Sequence, residues 1–105
     1  MKYHNQKTTI DGIVFDSKKE AKRYTVLRSL QEGGYIRGLG LQVPFELIPK
    51  QSGERAVKYI ADFVYWDVEK QVAIVEDVKG YKTDVYKLKR KLFKWRYPEY
   101  EFLET

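Results

Sequence analysis

The spacing of apolar side chains divides this chain into strand-like and helix-like stretches. Thr8 to Ile10 and Ile13 to Phe15 flank Asp11-Gly12, a pair that takes up positive φ readily, and this predicts a tight hairpin at the start of the fold. Asp16-Ser17-Lys18-Lys19-Glu20 then reads as a helix start, with Ser17 and Glu20 at capping-box spacing. Ala21, Tyr24, Leu27 and Leu30 recur at helical intervals and Gly33-Gly34 offers a left-handed exit, so the first helix is predicted over Ser17 to Glu32.

Leu41 to Ile48 alternates like a strand, but Pro44 has no amide to donate, which places the strand at a sheet edge or beside a bulge. Lys58 to Trp66 and Gln71 to Lys79 carry β-branched and aromatic residues on both alternating faces, the pattern of central strands covered on both sides. Thr83 or Asp84 caps a last helix, with Val85, Leu88, Leu92 and Trp95 or Phe93 as its apolar stripe. Pro98 ends that helix, and Tyr100 to Leu103 reads as a final short strand. The order predicts one α/β (α+β) domain over residues 1–105, with a mixed sheet between helices and an N-terminal β-hairpin.

Composition narrows the chemistry. The 105 residues include no cysteine, which removes disulfide scaffolds, thiolate metal sites and thiol nucleophiles together. The single histidine, His4, sits near the N-terminus, so in an enzyme the catalytic work would fall to carboxylates, lysines and a hard cation. No stretch approaches the roughly 20 apolar residues of a membrane span, and none resembles a secretory signal. The chain reads as soluble and intracellular.

The net charge of +5 is concentrated. Lys79 to Arg96 holds eight basic side chains (Lys79, Lys82, Lys87, Lys89, Arg90, Lys91, Lys94 and Arg96) against Asp84 alone, leaving the rest of the chain at −2. A second cluster, Lys18, Lys19, Lys22, Arg23 and Arg28 against Glu20 and Glu32, gives residues 17–32 a net +3. Concentrated positive charge fits a polyanionic partner, and it equally fits a solvated helix face.

Two acids interrupt the apolar strands: Asp62 in Tyr-Ile-Ala-Asp-Phe-Val-Tyr-Trp and Asp77 in Val-Ala-Ile-Val-Glu-Asp-Val-Lys-Gly. A buried carboxylate costs several kcal/mol unless it is paired or metal-bound. Pairing the two strands through a four-residue loop, Val68 to Gln71, gives cross-strand partners whose numbers sum to 139 and sets Asp62 opposite Asp77. Their Cβ atoms would then lie about 4.5 to 5.5 Å apart, close enough for two carboxylates to share a divalent cation. Alternation puts Lys79 on the same face as Asp77 and turns Glu76 to the other, where it reads as structural. A simpler alternative stands beside this one: an Asp77 to Lys79 ion pair, with Asp62 satisfied by backbone donors.

At these residues the sequence resembles the PD-(D/E)XK nuclease superfamily: Ala61-Asp62 on one strand, then Asp77-Val78-Lys79 on the next. Phe15-Asp16-Ser17-Lys18-Lys19-Glu20-Ala21, Ala61-Asp62-Phe63, Glu76-Asp77-Val78-Lys79-Gly80 and Tyr97-Pro98 resemble a small phage-encoded group of endonuclease-like proteins assigned to it. Ala61 stands where the motif has proline. The resemblance implies a restriction-endonuclease-like core and a magnesium-dependent DNA endonuclease, with manganese able to substitute. It implies Asp62, Asp77, Glu20 and the Val78 carbonyl as metal ligands, and Lys79 as the residue that orients or helps deprotonate the attacking water. Glu20 has a competing role as the capping partner of Ser17. Gln42 is implied as a polar contact near the site.

Lys82 and Thr83 at the start of the last helix, with Lys87, Lys89, Arg90, Lys91 and Lys94 along it, are the candidate DNA contacts. The arm Lys2, Tyr3, His4 and Lys7 could add to them, and Tyr86 reads as lining the site or packing in the core. The partner implied is DNA, branched DNA included, with no membrane, room for a homodimer, and the cytoplasm as location, a host's cytoplasm for a phage-encoded chain. Two alternatives remain at this level: a binding module that keeps the fold without catalysis, and an RNA-binding protein that stacks bases on its aromatics.

Overall fold

In a computed structural model, residues 6–105 form a two-stranded ribbon, a four-stranded mixed sheet and two helices. The ribbon pairs β1 (Thr8–Ile10) with β2 (Ile13–Phe15). Its turn has Asp11 at φ 54° and Gly12 at φ 76°, the two positive values that match hairpin twist. Helix α1 (Lys18–Glu32) follows, its N-cap Ser17 accepting from the Glu20 amide at 3.1 Å. It ends at Gly33 in right-handed conformation, and the left-handed residue is Gly34, at φ 82°.

The sheet runs β3 (Ile36–Ile48), β4 (Val57–Asp67), β5 (Val72–Asp77), β6 (Tyr100–Glu104), antiparallel except for the parallel β5 and β6. Helix α2 (Asp84–Arg96) makes the crossover between those two. Pro44 does lie in the edge strand, and β4 and β5 are central, as their apolar patterns require. Strand β3 starts five residues earlier than the alternation suggests, because Gly38 and Gly40 hide a strand that shifts register between Arg37 and Gly40.

Each helix covers one face of the sheet. Ala21, Tyr24 and Leu27 of α1 pack with Phe15, Ile36, Phe63, Tyr65 and Ile74. Tyr86 and Phe93 of α2 pack with Phe45, Leu47, Tyr59, Ala61 and Val75. Ile74 and Val75 thus go to opposite faces, as strand alternation demands.

The predicted apolar stripe of α2 is corrected here. Val85, Leu88 and Trp95 point to solvent; Leu92 and Phe93 of the predicted stripe do pack in the core, and Tyr86 joins them there. The chain uses aromatics one position along because their rings fill the space over the sheet, where Phe93 meets Phe45 edge-on at 5.0 Å. Thr83, not Asp84, is the cap, accepting from the Tyr86 amide at 3.0 Å. Thr83→Ala is expected to lower stability by about 1 kcal/mol, measured by urea unfolding, while Asp84→Ala should change it by less than half as much.

Strands β3 and β4 switch faces together. Val43 and Ala61 pack on the α2 side, yet Leu41 and Phe63, two residues away on each strand, pack on the α1 side. Between them the ladder skips Gln42 and Asp62, and Gln42 takes φ 52°, a left-handed conformation that a non-glycine residue rarely adopts. This dislocation decides where the site forms.

Candidate functional site

The register of β4 and β5 follows the sum of 139, from Asp67 paired with Val72 through to Phe63 paired with Glu76. The loop between them is Val68 to Gln71. The regular ladder ends one pair short of Asp62 and Asp77, and there the two acids meet. Asp77 continues the α2-facing side of β5 after Val75. Asp62, at the dislocation, reaches partners on both sides of the sheet.

Three carboxyls converge at this end, from α1, β4 and β5. The Gln42 amide donates to Glu20 Oε2 at 3.1 Å and to Asp62 Oδ1 at 3.2 Å. Asp62 Oδ2 accepts from the Val78 amide at 2.8 Å. Asp77 Oδ2 accepts from the Tyr59 hydroxyl at 3.1 Å, and its Oδ1 lies 3.5 Å from Lys79 Nζ. The Lys79 ammonium also sits 4.3 Å from the centre of the Tyr86 ring, and Lys19 Nζ donates to the Lys79 carbonyl at 2.9 Å. Both contacts of the purely structural alternative, the Asp77 to Lys79 pair and the backbone bond to Asp62, are therefore present. They leave the Lys79 ammonium, with that of Lys19 nearby in the cleft, against three acids.

The titration of the acids reflects that imbalance. Burial, then the hydrogen bond and charge of Asp62, push the Asp77 carboxyl up to about 7, with Lys79 and Tyr59 opposing. Burial raises Asp62 as well, and the charge of Glu20 adds to it against hydrogen bonds with Asp77, the Val78 amide and Gln42. Burial raises Glu20, opposed by hydrogen bonds with Asp62 and the Asp16 backbone. A hard cation would supply the missing charge. Among the described residues no group of three or more His, Cys, Asp or Glu side chains is arranged to hold a metal ion. An open set of carboxylates fits magnesium, which takes one or two of them and keeps water and substrate phosphate as its other ligands.

Glu20 and Asp62, but not Asp77, open on a cleft of about 390 Å³ lined also by Ser17, Lys79 and Thr83 among others. Ser17 and Thr83 are the two N-caps, so both helices aim their N-termini at the cleft, where unpaired amides and the helix dipoles favour an anion. A shallower depression on the α2 side shares Asp62 and Lys79 and adds Asp77, Tyr59, Tyr86 and Lys89.

The basic candidates divide into two groups. Lys87, Lys91 and Lys94 are exposed on α2. Arg90 and Lys82 are paired within the chain: Arg90 donates to Glu104 at 2.8 Å, and Lys82 lies 3.3 Å from the same carboxylate. Burial would raise Glu104, but hydrogen bonds from Tyr86, Arg90 and Lys82 outweigh it and hold its carboxyl at about 2. Lys89 is half-buried beside Asp77, and Tyr86 is both core and site wall. Lys7 makes an exposed contact with Asp16 at 3.9 Å, and Lys2, Tyr3 and His4 lie outside the described residues.

The family of proteins of unknown function DUF1064 matches residues 1–103. The chain belongs to the DUF1064 family. No curated protein and no solved structure matches it. No helix among the described residues of this DUF1064 protein is long and apolar enough to cross a membrane.

Sequence reasoning passed over two contributors in this DUF1064 chain. Tyr59 holds Asp77 through its hydroxyl, and Lys19 fixes the backbone at Lys79. Lys19 stood in the basic cluster at the start of α1. Tyr59 carried no comparable signal, since simple alternation makes it a core aromatic.

Proposed function

We propose that this protein is a metal-dependent DNA endonuclease. The observation that carries the reading is that Glu20, Asp62 and Lys79 line a cleft faced by both helix N-termini, with Asp77 ion-paired to Lys79 in the adjoining depression. The resemblance to PD-(D/E)XK nucleases supports it from the sequence side.

Asp62, Asp77 and Glu20, with the Val78 carbonyl, would hold magnesium, or manganese in its place. The bound ion supplies Lewis acidity and a lowered water pKa. The remaining work belongs to the chain. Gln42 spaces Glu20 from Asp62, and Tyr59 fixes the rotamer of Asp77. Lys79, held between Asp77 and the Tyr86 ring, orients the attacking water and offsets charge developing on phosphate. The water oxygen bonds to phosphorus as the P–O3′ bond breaks, leaving a 5′ phosphate and a 3′ hydroxyl. The amides before α1 and α2 bind the scissile phosphate or its neighbour. Lys87, Lys91 and Lys94 follow the backbone farther out.

The substrate class we favour is branched or recombination-intermediate DNA, met by a symmetric dimer in the cytoplasm, or in a host's cytoplasm for a phage-encoded chain. Nicked, linear and four-way-junction DNA incubated with magnesium, manganese or EDTA tests the reading. Cutting should require the metal and leave 5′ phosphates. If no substrate is cut under either metal, the protein is a binding module, for which the satisfied Asp77 to Lys79 pair is the supporting observation.

A further inference from the structure

Helix α2 is apolar on two sides, and only one of them is used. Tyr86 and Phe93 face the sheet, while Val85, Leu88 and Trp95 are 64%, 58% and 77% exposed on the outside, and half-buried Leu92 lies between the two sides, packed against the core with Phe93. A single exposed apolar residue needs no explanation. Residues 85, 88, 92 and 95 instead repeat at alternating intervals of three and four, the seam along which one helix packs on another. The positions that flank such a seam hold Lys89 and Arg96 on one side and Lys91 on the other, with Asp84 as the sole acid in the first turn; Arg96 also donates to the Leu47 carbonyl at 3.1 Å and lies 3.8 Å from Glu46.

Those flanks select the occupant. A second copy docking through the same face would bring lysine against lysine, which costs affinity. Nucleic acid would match the charge, but its bases stack on aromatic faces, and three of the four seam residues are aliphatic. An amphipathic helix with an aliphatic seam and acidic flanks satisfies both features. We propose that the outer face of α2 docks such a helix from a partner protein. The seam starts at the candidate site, since Val85 and Lys89 line the same depression as Asp77 and Lys79. A docked helix would therefore border the cleft. The inference stands on the exposed seam and its charges, independent of nuclease activity.

Two synthetic peptides of three heptads test it, with the same leucine seam and either glutamate or lysine at every flanking position. Calorimetry with the full chain should show the glutamate peptide binding at least about tenfold more tightly than the lysine peptide. The advantage should shrink as salt rises from about 0.05 to 0.5 M. Leu88→Asp and Trp95→Ala should each weaken binding about tenfold or more. Both positions are exposed, so melting temperature should hold, and Val14→Ser, at an exposed site on the ribbon, should leave binding unchanged. Four results would each overturn the proposal: no binding of the glutamate peptide, equal binding of both peptides, concentration-dependent self-association abolished by Leu88→Asp, or single-stranded DNA binding abolished by Trp95→Ala in place of peptide binding.

Discussion

Asp77→Asn is expected to abolish metal-dependent cleavage and, in metal-free buffer at pH 8, to raise the melting temperature. The first effect follows from losing a carboxylate that the proposed function gives to the metal and should be roughly 10³-fold or more. The second follows from linkage. Asp77 titrates at about 7 in the fold, against an ordinary value of 3.8. Below the ordinary value it is neutral in both states and imposes no penalty. As pH rises toward 7 the unfolded chain gives up this proton first, so the folded state binds more protons and stability falls. Above 7 the penalty is constant, on the order of 2 kcal/mol once coupling to Asp62 is allowed for. Asparagine removes it. The variant should melt roughly 5 to 10 °C above wild type at pH 8 and level with it near pH 4. Thermal scans of both proteins in EDTA across that range check the effect. A variant less stable at pH 8 would mean that the charged Asp77 to Lys79 pair is a net support of the fold.

Arg23→Ala carries the largest expected loss of stability. Glu76 is fully buried on the α1 side of the sheet, one residue before the site acid. Arg23 donates to both of its oxygens, the Tyr65 hydroxyl donates at 2.7 Å and the Thr105 hydroxyl at 3.0 Å. Removing Arg23 leaves a carboxylate in the core without its countercharge, at a cost of about 3 kcal/mol or more. Glu76→Gln should cost less, because the arginine left behind is partly in water and the amide keeps a hydrogen-bond acceptor. Denaturant unfolding of the two variants checks the order, and a larger loss for Glu76→Gln would contradict it. Double replacement, Arg23→Met with Glu76→Gln, should recover part of the loss.

Much of this architecture is legible in the residues. Asp11-Gly12 specifies its hairpin through local φ preference, and the apolar runs of β4 and β5 specify central strands through burial. A four-residue loop and one arithmetic relation locate the Asp62 and Asp77 pair, since antiparallel register propagates from the turn. Alternation fails at Gln42 and Asp62, and nothing local announces the failure. Both strands change face at one point, a cooperative property of the pair that neither strand's pattern contains. That shift gives Asp62 access to Glu20 on one side and Asp77 on the other.

The stripe on α2 shows the opposite case. Its spacing is read correctly as apolar and helical, but a helix with two apolar faces gives no local clue to which one meets the sheet. Aromatic volume decides, and Tyr86 and Phe93 go inward. The pairing of Arg90 is hidden for a related reason: its partner Glu104 lies in β6, and charge clusters along one helix say nothing of acids arriving from elsewhere.

The central claim is that Glu20, Asp62 and Asp77 gather a divalent cation at the end of β4 and β5. Anomalous diffraction from crystals soaked in manganese tests it most directly. The expected result is a peak bounded by the Asp62 and Asp77 carboxylates, lost in Asp77→Asn crystals. Featureless density there at saturating manganese, with Gln42 still bridging Glu20 and Asp62, would contradict the claim.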